Sequence, residues 1–164
     1  MVHTSGVGIQ FVRDPQGRIR DLVLPDGGIV SYVYTASGDL DSVRDPVDQT
    51  TRYTYGLARF PHYLTEIADP RGVRAVRNEY DDDGRLVATI DADGHRIAYT
   101  HDIDGRTEQV RDRNGNLSRY VYDDNGWVLA ETNALGETTQ HTYDANGNEL
   151  TRTDPLGHVT AWTY

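Results

Sequence analysis

Residues 80–163 read YDDDGRLVATIDADGHRIAYT (80–100), HDIDGRTEQVRDRNGNLSRYV (101–121), YDDNGWVLAETNALGETTQHT (122–142) and YDANGNELTRTDPLGHVTAWT (143–163). Four copies of 21 residues follow one another without slippage, and a fixed period of this size marks a repeat architecture. The glycines stand at Gly84, Gly94, Gly105, Gly115, Gly126, Gly136, Gly147 and Gly157, in steps alternating between 10 and 11. Most follow Asp or Asn, as in Asp83-Gly84, Asn114-Gly115 and Asn146-Gly147. Such pairs predict tight hairpin turns, because Gly lacks Cβ and Asn or Asp tolerates the left-handed region. Between turns lie six or seven residues rich in Thr, Val, Tyr, Ile and Arg, which suits strands of roughly 20 Å. No window carries a 3.6-residue apolar stripe long enough for a helix. The expectation is an all-β chain: a wide, curved antiparallel sheet of hairpins.

The aromatic residues support that register. Tyr32 and Tyr34, Tyr53 and Tyr55, and Tyr120 and Tyr122 are two apart, so each pair points to one face of its strand. Elsewhere the same places hold Tyr99 and His101, His141 and Tyr143, and Trp162 and Tyr164. These residues form a structural ladder, expected to pack ring on ring or across the aliphatic residues of the strand between. A sugar-stacking surface is the sharper alternative.

Working outward, residues 1–10 are an N-terminal lead, 11–55 worn copies of the repeat, 56–79 an irregular copy, and 80–164 regular copies ending mid-repeat. The worn copies turn near Gly17, Gly27-Gly28 and Gly38, and at Asp45-Pro46-Val47-Asp48, where Asp48 takes the glycine place. The irregular copy runs long between Gly56 and Tyr63, either as a tolerated insertion or as a functional loop. Fourteen turns imply about fifteen strands, a width at which open sheets curl or close. An apolar fraction of 37% leaves little for a solid core. No capping unit is visible, so the chain reads as a section of a longer wall.

Composition narrows the function. Sixteen Lys and Arg stand against 26 Asp and Glu, a formal charge of −10 that argues against a nucleic-acid partner. There is no cysteine, no signal-peptide pattern at the start, and no apolar run long enough for a membrane span.

The motif Tyr80-Asp81-Asp82-Asp83-Gly84-Arg85-Leu86, with Tyr143-Asp144-Ala145-Asn146-Gly147-Asn148 ahead of Asp154-Pro155-Leu156-Gly157, resembles the YD repeats of the Rhs proteins. The resemblance covers the chain from Phe11 onward. Similar repeats occur in the shell-forming subunits of insecticidal toxin complexes and in teneurins. The resemblance implies a β-strip that spirals into a hollow cocoon. In bacterial Rhs polymorphic toxins the cocoon encloses a C-terminal toxin used against competing cells, often through type VI secretion. It further implies, as partners, the remainder of the shell, the enclosed toxin domain and a secretion-system spike or adaptor. The implied location is the bacterial cytoplasm, followed by secretion or delivery into a target cell.

A search for chemistry finds no catalytic, cofactor-binding or metal site. Rhs cores end in a self-cleaving Pro-x4-Asp-Pro-x-Gly-Leu segment. Asp154-Pro155-Leu156-Gly157 lacks its Leu (His158) and its Pro (Glu149), Asp69-Pro70-Arg71-Gly72 has Leu64 and Val73 there, and Asp14-Pro15-Gln16-Gly17 is followed by Arg18. All three occupy ordinary turn positions, where Asp-Pro is good turn chemistry. Of the histidines His3, His62, His95, His101, His141 and His158, His101 and His141 replace ladder tyrosines, and no pair has zinc-ligand spacing. Asp81-Asp82-Asp83 and Asp102-x-Asp104 lack the terminal Glu of a calcium loop. Ser5-Gly6-Val7-Gly8 is too sparse for a phosphate loop. The expectation is a structural shell section. The alternative is a surface module that binds glycan or protein through the tyrosine rows.

Overall fold

The structure, a computed structural model, describes residues 8–164; His3 and Ser5–Val7 lie outside them. Fifteen strands and no helix are present among the described residues. They are β1 (Gln10–Arg13), β2 (Ile19–Val23), β3 (Ile29–Tyr34), β4 (Leu40–Arg44), β5 (Thr50–Tyr55), β6 (Leu64–Ala68), β7 (Arg74–Tyr80) and β8 (Leu86–Asp91). There follow β9 (Arg96–Asp102), β10 (Thr107–Arg111), β11 (Leu117–Tyr122), β12 (Val128–Thr132), β13 (Thr138–Tyr143), β14 (Glu149–Thr153) and β15 (Val159–Ala161). Strand order follows chain order from β1 to β15 with no crossover, as a succession of hairpins requires.

The chain divides into two compact units, residues 1–79 with 90–94 and residues 80–89 with 95–164. In the first, β1 to β7 pair antiparallel, and the register places Phe11 opposite Leu22, Tyr32 opposite Val43, and Tyr53 opposite Ile67 on one face. In the second, β9 to β15 pair likewise. One face there carries a row running His101, Glu108, Tyr120, Glu131, Thr139 from β9 to β13. The other face is polar, with hydroxyl pairs Thr132–Thr138 at 2.9 Å and Thr142–Thr151 at 2.7 Å.

Burial is slight. Among the described residues only Ala88 and Ile90 are buried hydrophobics, and no large side chain is fully enclosed. Backbone ladders, cross-strand pairs and turns therefore carry more of the stability here than core packing does.

The turns are tight, as expected, but at most one residue of each Asp-Gly or Asn-Gly pair is left-handed. In the loop 81–85 the Gly84 N–H donates to the Asp81 carbonyl at 3.0 Å, and the Asp81 N–H donates to the Arg85 carbonyl at 2.9 Å. This is a type I turn closed by one left-handed residue. Gly84 holds φ at 82°, while Asp83, Asn114, Asn125 and Asn146 are not left-handed. The expectation that the Asp or Asn of each pair takes a positive φ is thus corrected: a type I turn asks it only of the following glycine. Two turns depart further. Asp48 supplies the positive φ (64°) in the Asp45 turn, as its place in the pattern requires. In the shorter loop 103–106 the positive φ falls on Arg106 (49°) and not on Gly105. The connection 56–63 is longer than these; in it Phe60 stacks on Tyr63 with centroids 4.9 Å apart, and His62 Nδ1 lies 2.8 Å from Asp39 Oδ1.

Candidate functional site

The repeated unit of geometry is the loop-opening aspartate. Asp81 Oδ1 accepts N–H bonds from Asp83 (3.0 Å) and Arg85 (2.8 Å). Asp112, Asp123, Asp144 and Asp154 do the same for the residues two and four positions on, and in the first unit so do Asp14, Asp45 and Asp69. Asn133 reproduces the pattern with its amide oxygen, at 2.9 Å to Leu135 and 3.0 Å to Glu137. The bond from the Arg85 N–H, followed by the one from Asp83, holds the Asp81 carboxyl below its ordinary value against the opposing effect of burial. At Asp154 the His158 side chain and backbone do the same. The aspartates of the Asp-Pro segments at 14, 69 and 154 are therefore engaged in closing turns. Glycines 84, 94, 115, 126, 136, 147 and 157 all take positive φ, and Gly105 alone of the predicted eight does not.

Four outer ladder residues, Tyr34, Tyr55, His101 and Tyr143, reach over the neighbouring strand. Tyr34 Oη donates to the Ile19 carbonyl at 2.9 Å, and Tyr143 Oη to the Val128 carbonyl at 3.0 Å. At His101 the imidazole Nε2 stands 2.8 Å from the Leu86 carbonyl, fifteen residues back as in the other two. Tyr55 interacts with the backbone of Leu40, again fifteen back. Burial first, then the Glu149 carboxylate, raises the Tyr143 phenol above its usual range, which keeps it a donor. The rings are covered by the residue after the turn glycine. Arg18 lies 4.3 Å from the Tyr34 centroid, and Trp127 lies 5.6 Å from that of Tyr143. His141 also stacks near Tyr143, at 6.5 Å.

The inner ladder positions are Tyr32, Tyr53, Tyr99, Tyr120, His141 and Trp162. Tyr99 stands opposite Val110. His141 Nδ1 lies 2.6 Å from Glu149 Oε1. Arg152 lies 5.6 Å from the Trp162 ring, while its guanidinium bonds Glu149 at 2.9 Å. Tyr164, beyond β15, is exposed.

Against this pattern one place is open. A shallow concavity of about 490 Å³ is lined by Glu108, Val110, Tyr120, Tyr122, Gly126 and Val128. Tyr120 also borders a smaller one, about 170 Å³, with Glu131 and Thr139. Tyr120 faces Glu108 on one side and Glu131 on the other in the strand register. Periodicity alone identified Tyr120 and Tyr122 as ladder members. The two carboxylates escaped notice because only the register brings residues 108 and 131 alongside 120.

The family model of the RHS repeat matches residues 80–121 and 122–159, each match opening at a ladder position followed by its aspartate. No curated protein sequence matches the chain. Among solved structures, a chain of the Photorhabdus luminescens Tc holotoxin pore with mutated TccC3 superposes with a TM-score of 0.69 at 13% identity. The match covers 98% of this chain and 10% of that one. The crystal structure of TcdB2-TccC3-TEV gives 0.67 at 13% identity, with coverage of 98% and 10%. The chain thus spans about a tenth of the length of either, and at such identity the likeness is one of fold.

Proposed function

Given that the chain is an RHS-repeat (YD-repeat) chain, we propose that it is a wall section of an encapsulating shell. The observation that carries this reading is a chain-ordered antiparallel sheet of fifteen strands with almost no buried side chains. A sheet of this kind is built to separate two spaces more than to enclose a site of its own. In this reading its mechanism is steric. Main-chain ladders and capped turns resist opening, so a polypeptide held on one side is kept from proteases and from premature folding partners. The remainder of the shell and an enclosed toxic domain are the partners, and delivery to a competing bacterial cell after synthesis in the cytoplasm is the setting. The reading assigns no catalytic step to this chain; Asp14, Asp69, Asp81 and Asp154 are used for turns, and His101 and His141 for cross-strand contacts.

The test compares protease digestion of the enclosed domain in the complete parent protein with digestion of the parent lacking residues 80–164. Survival of the domain in the complete parent and its loss in the deleted one are expected. Equal resistance in both would sink the proposal.

A further inference from the structure

We propose that the concavity at Tyr120 and Tyr122 is a binding site for an arginine side chain on an extended segment of another polypeptide. The chain already contains this arrangement twice within itself. Arg18 lies over Tyr34 while its Nε bonds Asp14 Oδ2 at 2.7 Å. Arg152 lies over Trp162 while Glu149 binds its guanidinium. In both, a planar cation stacks on a ladder ring and a carboxylate fixes its edge, a combination that suits guanidinium better than ammonium.

Tyr122 is the repeat counterpart of Tyr34, and the counterpart of Arg18 is Arg106. Arg106 does not cover the ring: it pairs with Asp124. Its loop, 103–106, is one residue shorter than the regular turns and is capped differently, the Asp102 carboxylate accepting only the Gly105 N–H at 2.8 Å, and Arg106 itself is left-handed. The short turn thus redirects the side chain that would close the site. Among the described residues no cation lies over Tyr120 or Tyr122.

The carboxylates are in place. Glu108 and Glu131 flank Tyr120 from the two neighbouring strands, where directly opposed Cβ atoms are about 5 Å apart. Glu108 Oε2 stands 3.3 Å from His101 Nδ1, whereas Glu131 is exposed and makes no salt bridge, its charge reaching Arg152 only at longer range. Val110 and Val128 give the concavity apolar lining, and Gly126 adds no side chain to it. The occupant is argued from charge. Two carboxylates around bare rings, on a chain of formal charge −10, favour a cation. The concavity is lined from β10, β11 and β12 on a sheet face, a surface along which an extended polypeptide carrying the cation can lie. The inference does not depend on the wall reading, since it concerns one surface of the chain.

The test uses the full 164-residue chain at low salt, titrated with N-acetyl-Gly-Arg-Gly-amide and with the citrulline analogue, which keeps the shape and removes the charge. Amide and aromatic NMR shifts should saturate and localise to Glu108, Tyr120, Tyr122 and Glu131. The citrulline peptide should bind roughly tenfold more weakly, as should the Tyr122→Leu and Glu131→Gln variants with the arginine peptide, within the range one guanidinium–ring contact carries. Glu131 is exposed, so Glu131→Gln leaves the fold intact even where Tyr122→Leu does not. Equal binding of citrulline, wild-type affinity in Glu131→Gln, shifts spread over the acidic surface, or no saturation would each overturn the proposal.

Discussion

At the scale of the residue, the stability of this chain is decided by the carboxylate that opens each loop and the glycine that closes it. Asp81 supplies two things, an acceptor atom for two N–H groups and a negative charge, and Asn133 shows that the acceptor alone suffices for the geometry. Asp81→Asn should therefore lower the urea midpoint at pH 7 less than Asp81→Ala, which orphans both donors; equal losses would count against the cap. The charge is read by pH. These aspartates have depressed folded-state values, led at Asp81 by the Arg85 backbone bond and at Asp112 by the Asn116 side chain. Groups shifted this way contribute stability that is full above the unfolded value and is lost as pH falls through the folded one. The midpoint should change little on their account between pH 6 and 8 and should drop below about pH 4, with a shallower acid limb in Asp81→Asn. The glycines make a second pair of tests. Gly126→Ala meets open space and pays only the left-handed penalty of about 1–2 kcal/mol. Gly147→Ala places its Cβ 2.9 Å from Trp127 Cζ2, so its cost should exceed that of Gly126→Ala by about 1 kcal/mol or more. Urea unfolding of the two variants side by side decides the order.

At the scale of the element, four hairpins shift their register at the ladder residue that leads into the loop. The shift recurs at Val33/Tyr34, Thr54/Tyr55, Val121/Tyr122 and Thr142/Tyr143, skipping Asp41, Thr65, Leu129 and Leu150 on the facing strand. A bulge of this kind increases twist and re-aims side chains, and here it accompanies a ring that reaches back over the adjacent strand. Tyr143→Phe removes the bond to the Val128 carbonyl and keeps the ring against Trp127, so a loss of roughly 0.5–1.5 kcal/mol is expected in thermal or urea unfolding. An unchanged midpoint would show that the hydroxyl contributes nothing. Much of this element was legible in the sequence. Glycine spacing placed the strands and turns, because a chain with so little core has few tertiary contacts to override local preference. The alternation of Tyr120 and Tyr122 set the face. The bulge, the fifteen-residue reach of Tyr34 and Tyr143, and the redirected Arg106 were not legible, since each depends on which residues of different strands stand opposite one another. The identity of the left-handed residue was misread for a local reason: Asn-Gly serves two turn types, and the aspartate three positions before the glycine selects between them.

At the scale of the whole molecule, the governing facts are two edge strands and a large negative charge. Among the described residues β1 pairs only with β2 and β15 only with β14, and all three residues of β15 are exposed. Unpaired N–H and C=O groups along a strand invite another strand, and natural sheets oppose this with charge. Here charge acts over the whole surface, with a formal value of −10, while the β15 segment itself, Val159-Thr160-Ala161, carries none. Repulsion between copies should therefore be the chief brake on edge pairing, and salt should release it. Raising the ionic strength from about 0.01 M to about 1 M shortens the screening length from roughly 30 Å to 3 Å. Light scattering across that range should show the mean mass of the isolated chain rising with salt and with protein concentration. Val159→Lys together with Thr160→Lys puts like charge on the edge itself, and the rise should then largely disappear without loss of the strand signal in circular dichroism. If mass instead falls with salt, copies are held by ion pairs and the edge argument fails. If the double variant associates as before, the contact lies elsewhere than β15, and β1 or the exposed sheet face becomes the surface to test.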